Sequence, residues 1–342
     1  MNSINRLLPE KTRNDLRQEA FIADQQNALT PVQWKIIQEN NWINIWLPEE
    51  LGGNDFDFPT IVKTLYELAW IDGSLGWTVT LCSGANWFAG FIKNGKEVFN
   101  TSDNIWAGSG QTNGILTRTE EGFILNGQWQ YATGIEKATH ITFNAKMKNS
   151  NEVVSGYLYP HQIRLLHTWN KMGMRGTGTH NFAVDNILLS PEQLFKIDQT
   201  LTTHDSKVFQ IPFNIMAMAT LAVNYGGMVE HFWEEAYKIA ESENKNVIAD
   251  KIQGYQFALE QTMLKFYQQI DGIWNKIQHE IVIEEKTSVS FITSCKEIIK
   301  EQYRNIHELF PHLGMHAVDA NSMINLIWRD LHTASQHAMW RS

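Results

Sequence analysis

From Pro212 onward the chain reads as helix and almost nothing else: Pro311 is the one later proline, and apolar residues recur three or four apart. Ile211, Ile215, Met218, Ala222, Tyr225, Val229, Phe232 and Ala236 form one series. Ile252, Leu259, Met263, Phe266, Ile270, Ile273 and Ile277 form a second. Ile292, Cys295, Ile299, Tyr303 and Ile306 make a third, and Ala320, Ile324, Ile327, Leu331 and Ala334 a fourth. A period near 3.6 gives each helix one apolar stripe, and four stripes joined by short loops bury one another. The spacing predicts an up-and-down four-helix bundle over 205–342.

The rest of the chain divides in two. Over 1–103, Leu16, Ala20 and Ala23 keep helical spacing, as do Ile61, Leu65, Leu68 and Ala69, which stop near Asp72-Gly73. The loop Leu47-Pro48-Glu49-Glu50-Leu51-Gly52-Gly53 separates them, and Thr78 to Phe91 is apolar on most sides, as a buried helix is. Over 104–204 the character changes: ten of the 22 glycines lie between Gly108 and Gly178, among short β-rich segments. Glu120-Glu121-Gly122 predicts a turn between strands Ile115–Thr119 and Phe123–Leu125, and Asn126-Gly127 predicts another. Val153–Tyr159 and Phe182–Leu189 are further strands, ended by Pro160 and Pro191. The fold class is therefore α+β, mostly α: an N-terminal helical domain (1–103), a middle antiparallel β domain (104–204) and a C-terminal four-helix bundle (205–342).

Charge and composition remove several functions. A net charge of -9 offers no basic stripe to replace counterions on nucleic acid. No apolar run is long enough for a membrane span, and Arg6, Glu10, Lys11 and Arg13 interrupt any signal-peptide core. Cys82 and Cys295 lie far apart without metal-ligand spacing, which suits a reducing compartment. The expected location is cytoplasmic, with no nucleic-acid or membrane partner and no metal. Gly108-Ser109-Gly110 is not a dinucleotide fingerprint, because its third glycine arrives at 114 and strands follow. Gly173–Gly178 lacks the lysine and helix of a phosphate loop.

Four strings, in order, resemble the acyl-CoA dehydrogenase superfamily: Leu47–Gly53, Leu68-Ala69-Trp70-Ile71-Asp72-Gly73-Ser74-Leu75-Gly76-Trp77, Asn126-Gly127-Gln128-Trp129-Gln130-Tyr131-Ala132-Thr133-Gly134, and Met172-Gly173-Met174-Arg175-Gly176-Thr177-Gly178-Thr179. The resemblance spans nearly the whole chain. It implies a flavin, FMN or FAD, between the β domain and the bundle, in a homotetramer or dimer of dimers. It assigns Tyr131 and Thr133 to the face of the isoalloxazine, and Ser109 and Gln111 to a flavin-contacting loop. Thirteen Trp and seventeen Phe suit the walls of such a ligand, though large cores use them too. Lys245 stands where the dehydrogenases hold the FAD diphosphate of a neighbouring subunit through arginine. Lysine lacks the planar fork, which weakens the grip on FAD and admits FMN. The implied pocket walls come from the helix near Trp87 and Phe91 and from the last bundle helices, with Met315 and His316.

Acyl-CoA dehydrogenation needs a carboxylate to take the α-proton. The family places it eight or nine residues after an Arg-Asp pair, here Arg329-Asp330, yet from Leu331 to Ser342 there is no Asp or Glu. His337 stands near that position instead. The alternative site of the base, near Phe213 and Asn214, is also without an acid. The string Trp328–His337 resembles the end of the group D flavin monooxygenases, which share the fold and take reduced flavin from a separate reductase. The resemblance makes His337 the catalytic residue, one able to assist oxygen activation or deprotonate a phenol. Arg329 and Asp330 are expected to be structural, pairing across the bundle. Several members carry a histidine on the helix near residues 83–90, where this chain has Ser83-Gly84-Ala85-Asn86. The leading expectation is a monooxygenase acting on an apolar or aromatic small molecule, with a flavin reductase as partner. The alternatives are an acyl-CoA dehydrogenase or oxidase with an atypical base, and a non-enzymatic relative.

Overall fold

The computed structural model describes residues 6–99 and 104–340, so the boundary expected at 103 lies outside the described residues. The N-terminal part holds α1 (Glu10–Gln26), α2 (Pro31–Glu39), α3 (Phe58–Ile71), α4 (Gly73–Asn86) and the one-turn α5 (Gly95–Val98). Thr30 and Gln33 form a reciprocal capping box at the start of α2, with Pro31 as its first residue. Asp72 alone separates α3 from α4. Its carboxylate accepts the N–H groups of Ser74 and Leu75 and the Gln33 amide, which fixes the corner at which α4 departs.

Eight strands form one sheet: β1 (Trp106–Gly108), β2 (Gly114–Arg118), β3 (Phe123–Ala132), β4 (His140–Met147), β5 (Val153–Leu158), β6 (Arg164–Leu166), β7 (His180–Leu189) and β8 (Leu194–Phe195). Their order is β6-β7-β3-β2-β4-β5-β8, with β1 beside β4. The sheet is mixed rather than antiparallel, because β1 and β2 both run parallel to β4. Hairpins announce themselves through local turns, whereas the parallel β2–β4 pair forms across the intervening β3 and leaves no local mark. Asn126-Gly127 is not a turn either. β3 runs through it with a register shift against β7, and a Cβ on Gly127 would meet the Trp129 ring at 2.7 Å. The glycine marks a bulge under an indole.

The C-terminal part holds α6 (Phe213–Ser242), α7 (Asn246–Gln278), α8 (Glu285–Leu309), the one-turn α9 (Met315–Val318) and α10 (Met323–Ala334). The apolar stripes read from the sequence are largely the buried faces, except that Ala320 lies exposed in the turn before α10. α6 is the central element and packs on α3 and α4 as well as on α7, α8 and α10. Bundle and N-terminal helices thus share one core, while the sheet closes a second around Trp129, Phe143 and Phe182. No described helix is long and apolar enough to cross a membrane.

Candidate active site

β3 ends beside α4. Between Trp129 and Ala132 its register against β7 shifts again, and Tyr131 is forced to φ +66°. The left-handed region costs a residue with a side chain about 1–2 kcal/mol. Asn181 accepts the Tyr131 N–H, and the ring stays 52% exposed, edge-on to Trp169 at 6.4 Å. A strained backbone here presents a flat apolar ring to open space.

Thr133, two residues on, is buried with its hydroxyl 2.9 Å from that of Thr179, which lies 2.7 Å from that of Thr177. Gly134 follows at φ +71°, where a Cβ would sit 2.7 Å from the Cys82 sulfur. The absent side chain lets the strand end lie directly on α4. The loop after β1 completes the corner: Ser109 accepts the Gln111 N–H, and the Gln111 side chain accepts the Gln130 N–H. Ser109, Gln111, Tyr131 and Thr133 are therefore brought together.

His337 approaches from the bundle side. Its ring packs edge-on to Trp77 of α4 at 5.7 Å and near Trp340 at 6.2 Å. Trp77 adjoins Thr78, whose methyl group lies against Gly134, so α4 joins the histidine to the end of β3. Burial holds the imidazole below its ordinary pKa, leaving it neutral at pH 7. A groove of about 390 Å³ lined by Lys296, Lys300, Tyr303, Gln336 and Trp340 lies on the bundle. It shares none of the residues of the Tyr131 corner.

Arg329 and Asp330 do not pair across the bundle. Arg329 grips both oxygens of Asp24 on α1 at 3.0 Å and donates to the Met172 carbonyl. Asp330 accepts the Met174 N–H at 2.5 Å. Its other oxygen is without a hydrogen-bond partner, and burial, reinforced by Asp72, pushes its carboxyl well above the usual range. The pair ties loop 172–178 to α10 and to the end of α1, elements remote in sequence, which periodicity cannot reveal.

Other expected residues fall elsewhere. The Lys245 ammonium is held by Glu243 and the His312 carbonyl, at the start of α7 and away from the Tyr131 corner. Trp87 is fully buried among Phe91, Phe209 and Phe213, so it is core rather than pocket wall. Met315 is 80% exposed, and His316 turns to Glu243. Asn86, on the helix where several monooxygenases carry histidine, is a structural tie. Its amide donates to Asn44 and the Asn104 carbonyl, and its oxygen accepts the Trp106 N–H. Sequence reasoning missed Trp169 and Asn181. Asn181 acts across the β3–β7 bulge and Trp169 reaches Tyr131 from the loop before β7, and neither leaves a motif.

No family model matches the chain. Over 99% of its length it is 21% identical to HsaA, the oxygenase subunit of a flavin-dependent monooxygenase from Rhodococcus jostii, and covers 94% of that protein. Over 95% of its length it is 22% identical to the indole-3-acetate monooxygenase of Acinetobacter baumannii, covering 88% of it. Its structure is similar to that of XiaF from a Streptomyces species, solved with FADH2 and glycerol, at a TM-score of 0.88 and 16% identity. That match covers 96% of this chain and 89% of the other.

Proposed function

We propose that this flavin-dependent oxidoreductase of the acyl-CoA dehydrogenase fold is the oxygenase component of a two-component monooxygenase, hydroxylating an apolar or aromatic small molecule with reduced flavin from a separate reductase. The observation that carries the reading is the Tyr131 corner. A protein seldom holds a large ring exposed at a strained φ unless something flat covers it. The corner fits a flavin: an apolar wall from Tyr131, hydroxyls at Ser109 and Thr133, and a glycine that lets the strand end lie against α4.

Reduced flavin, when bound, supplies the two electrons by which one oxygen atom enters the product and the other leaves as water. The chain's own residues position and protect. Tyr131 sets the plane of the ring, and Thr133, its hydroxyl bonded to Thr179, can only accept a hydrogen bond at the edge. His337 takes the catalytic role. Its Nδ1 accepts the Met339 N–H at 3.4 Å, which leaves the proton of the neutral ring on Nε2. Nε2–H can hold a proton for activated oxygen or hand it on. A dehydrogenase would need a carboxylate here, and Asp330, buried against the Met174 N–H, is held above the usual carboxylate range and so disfavours the ionised base.

FMN is the better cofactor on this reading, because Glu243 already neutralises Lys245. A homotetramer or dimer of dimers would cover Val247, Phe257 and Leu264, which α7 exposes. The domain limits 1–103, 104–204 and 205–342 and a cytoplasmic location belong to the same proposal, the latter suited to two buried free thiols.

The test supplies FMN, a flavin reductase, NADH and ¹⁸O₂ with a panel of phenols and indoles. Incorporation of one ¹⁸O atom into a product supports the proposal. Release of hydrogen peroxide alone with every aromatic, together with bleaching of bound flavin by an acyl-CoA, would replace it with the dehydrogenase reading.

A further inference from the structure

Behind the Tyr131 corner stand three groups that the proposed chemistry does not use. Glu136, His167 and His180 bring their side-chain oxygen and nitrogen atoms within 4.8 Å of one another. Two histidines and a carboxylate invite a metal, but the hydrogen bonds of His180 argue against one. Its Nδ1 accepts the backbone N–H groups of both Thr168 and Trp169, each at 3.1 Å. A lone pair facing two donors places the neutral ring's proton on Nε2. Nε2 is the atom that faces Glu136, 3.5 Å from Oε1. A ring fixed in this way has no lone pair left for a cation.

We propose that His180 is a positioning residue for the flavin site, an inference that rests on the flavin reading above: its neutral ring, protonated on Nε2, holds Trp169 and through it Tyr131, and protonation on Nδ1 releases both. The connections are short and mutual. The Trp169 indole N–H donates to the Met174 carbonyl at 2.8 Å, and the Thr177 hydroxyl donates to the same oxygen at 2.8 Å. The Trp169 ring then meets Tyr131 edge-on. Asn181, next to His180 on β7, accepts the Tyr131 N–H, while its own N–H donates to the Thr168 hydroxyl. Neighbouring residues of one strand thus grip both rings of the corner.

Acid breaks this arrangement. A second proton on the ring must sit on Nδ1, where it meets two N–H donors, so the backbone at 168–169 has to move. The charged groups facing His180 are Glu136, from the short helical turn 135–137, and His167, from the segment before β7 with its ring 5.0 Å away. Burial lowers the His180 pKa, Glu136 raises it and His167 lowers it, and burial is the largest of the three. The ring is therefore neutral at pH 7, and the release falls on the acid side of 6.5.

The test compares the full-length protein with His180→Asn, whose amide oxygen accepts the same N–H groups and does not titrate, and His180→Leu, which has no acceptor. One readout is hydrogen exchange in peptides spanning Thr168 and Trp169, corrected for the intrinsic pH dependence. The other is the Kd of FMN between pH 7.5 and 5. In the wild type, protection at 168–169 falls with pH, and the Kd rises by about 10-fold or more. His180→Asn stays flat within about threefold in both readouts, and His180→Leu is unprotected and weak at every pH. Equal pH profiles for wild type and His180→Asn would overturn the proposal, as would unchanged wild-type protection down to pH 5. If exchange behaves as expected while FMN binds none of the proteins at any pH, the grip on Trp169 stands and the flavin reading fails.

Discussion

The Tyr131 corner and the Lys245 corner show two fates for sites that the family resemblance makes part of one cofactor cradle. At the first, every neighbour conspires to present a ring: Asn181 holds its backbone, Trp169 its edge, and Gly134 seats the strand end on α4. At the second, a cation that could meet a diphosphate pairs with Glu243 at the surface, and Glu243 also holds His316. An exposed apolar ring held under strain keeps its capacity for a ligand, whereas a partly exposed ion pair must be parted before its cation meets one. On the proposed reading, the flat part of the flavin is what this chain is built to recognise.

The largest expected effect lies at His337. His337→Ala should lower hydroxylated product per turnover by about 100-fold or more, with FMN affinity changed by less than about threefold. Product yield from single turnovers checks it. A matching loss of affinity would mean that the ring is wall rather than catalyst.

Tyr131→Asn separates the strain from the ring. Asparagine tolerates the left-handed region, so urea unfolding should show stability unchanged or raised by up to about 1 kcal/mol, while FMN binding weakens about 30-fold. Retained affinity would break the comparison at its stronger side.

A control sits in the sheet, away from both corners. His140 is stacked on Trp106 at 4.7 Å, and burial pushes it down to about 4. Its folded pKa lies below its unfolded one, so the stability tied to its neutral form is complete above pH 6.5 and is lost as pH falls towards 4. Wild type should therefore lose about 1–2 kcal/mol more than His140→Phe between pH 7 and 4.5, allowing for solvent screening, as read by urea midpoints. Asp72, raised to about 6, works in the opposite direction, losing stability as pH rises through that range, and it is common to both proteins.

The smallest effect sharpens the second corner. Glu243→Gln frees Lys245 and should improve FAD relative to FMN by about threefold, while Lys245→Ala should change neither affinity by more than about twofold. A large loss of FAD binding in Lys245→Ala would show that the ammonium meets the diphosphate after all.

Much of this was legible in the chain. The bundle stripes emerged because burial and a 3.6-residue period constrain every turn of α6, α7, α8 and α10. Motif order brought Ser109, Gln111, Tyr131 and Thr133 to one place. What stayed hidden depends on partners distant in sequence. Asn126-Gly127 carries a turn signature, and only the Trp129 indole lying over it makes it a bulge. Arg329 finds Asp24, Asp330 finds the Met174 N–H, and His180 finds the backbone of Trp169. None of these pairs has a periodic or compositional trace. Lys245 shows the converse, a phosphate ligand by type whose ion pair with Glu243 no motif announces.

The most direct test of the central claim is to mix the protein with reduced FMN without oxygen, then add oxygen and follow the flavin absorbance. The account predicts a stoichiometric complex whose reoxidation passes through an absorbing transient distinct from oxidised FMN, and a transient that is lost in His337→Ala. Reoxidation at the rate of free reduced FMN, with no complex formed, would contradict it.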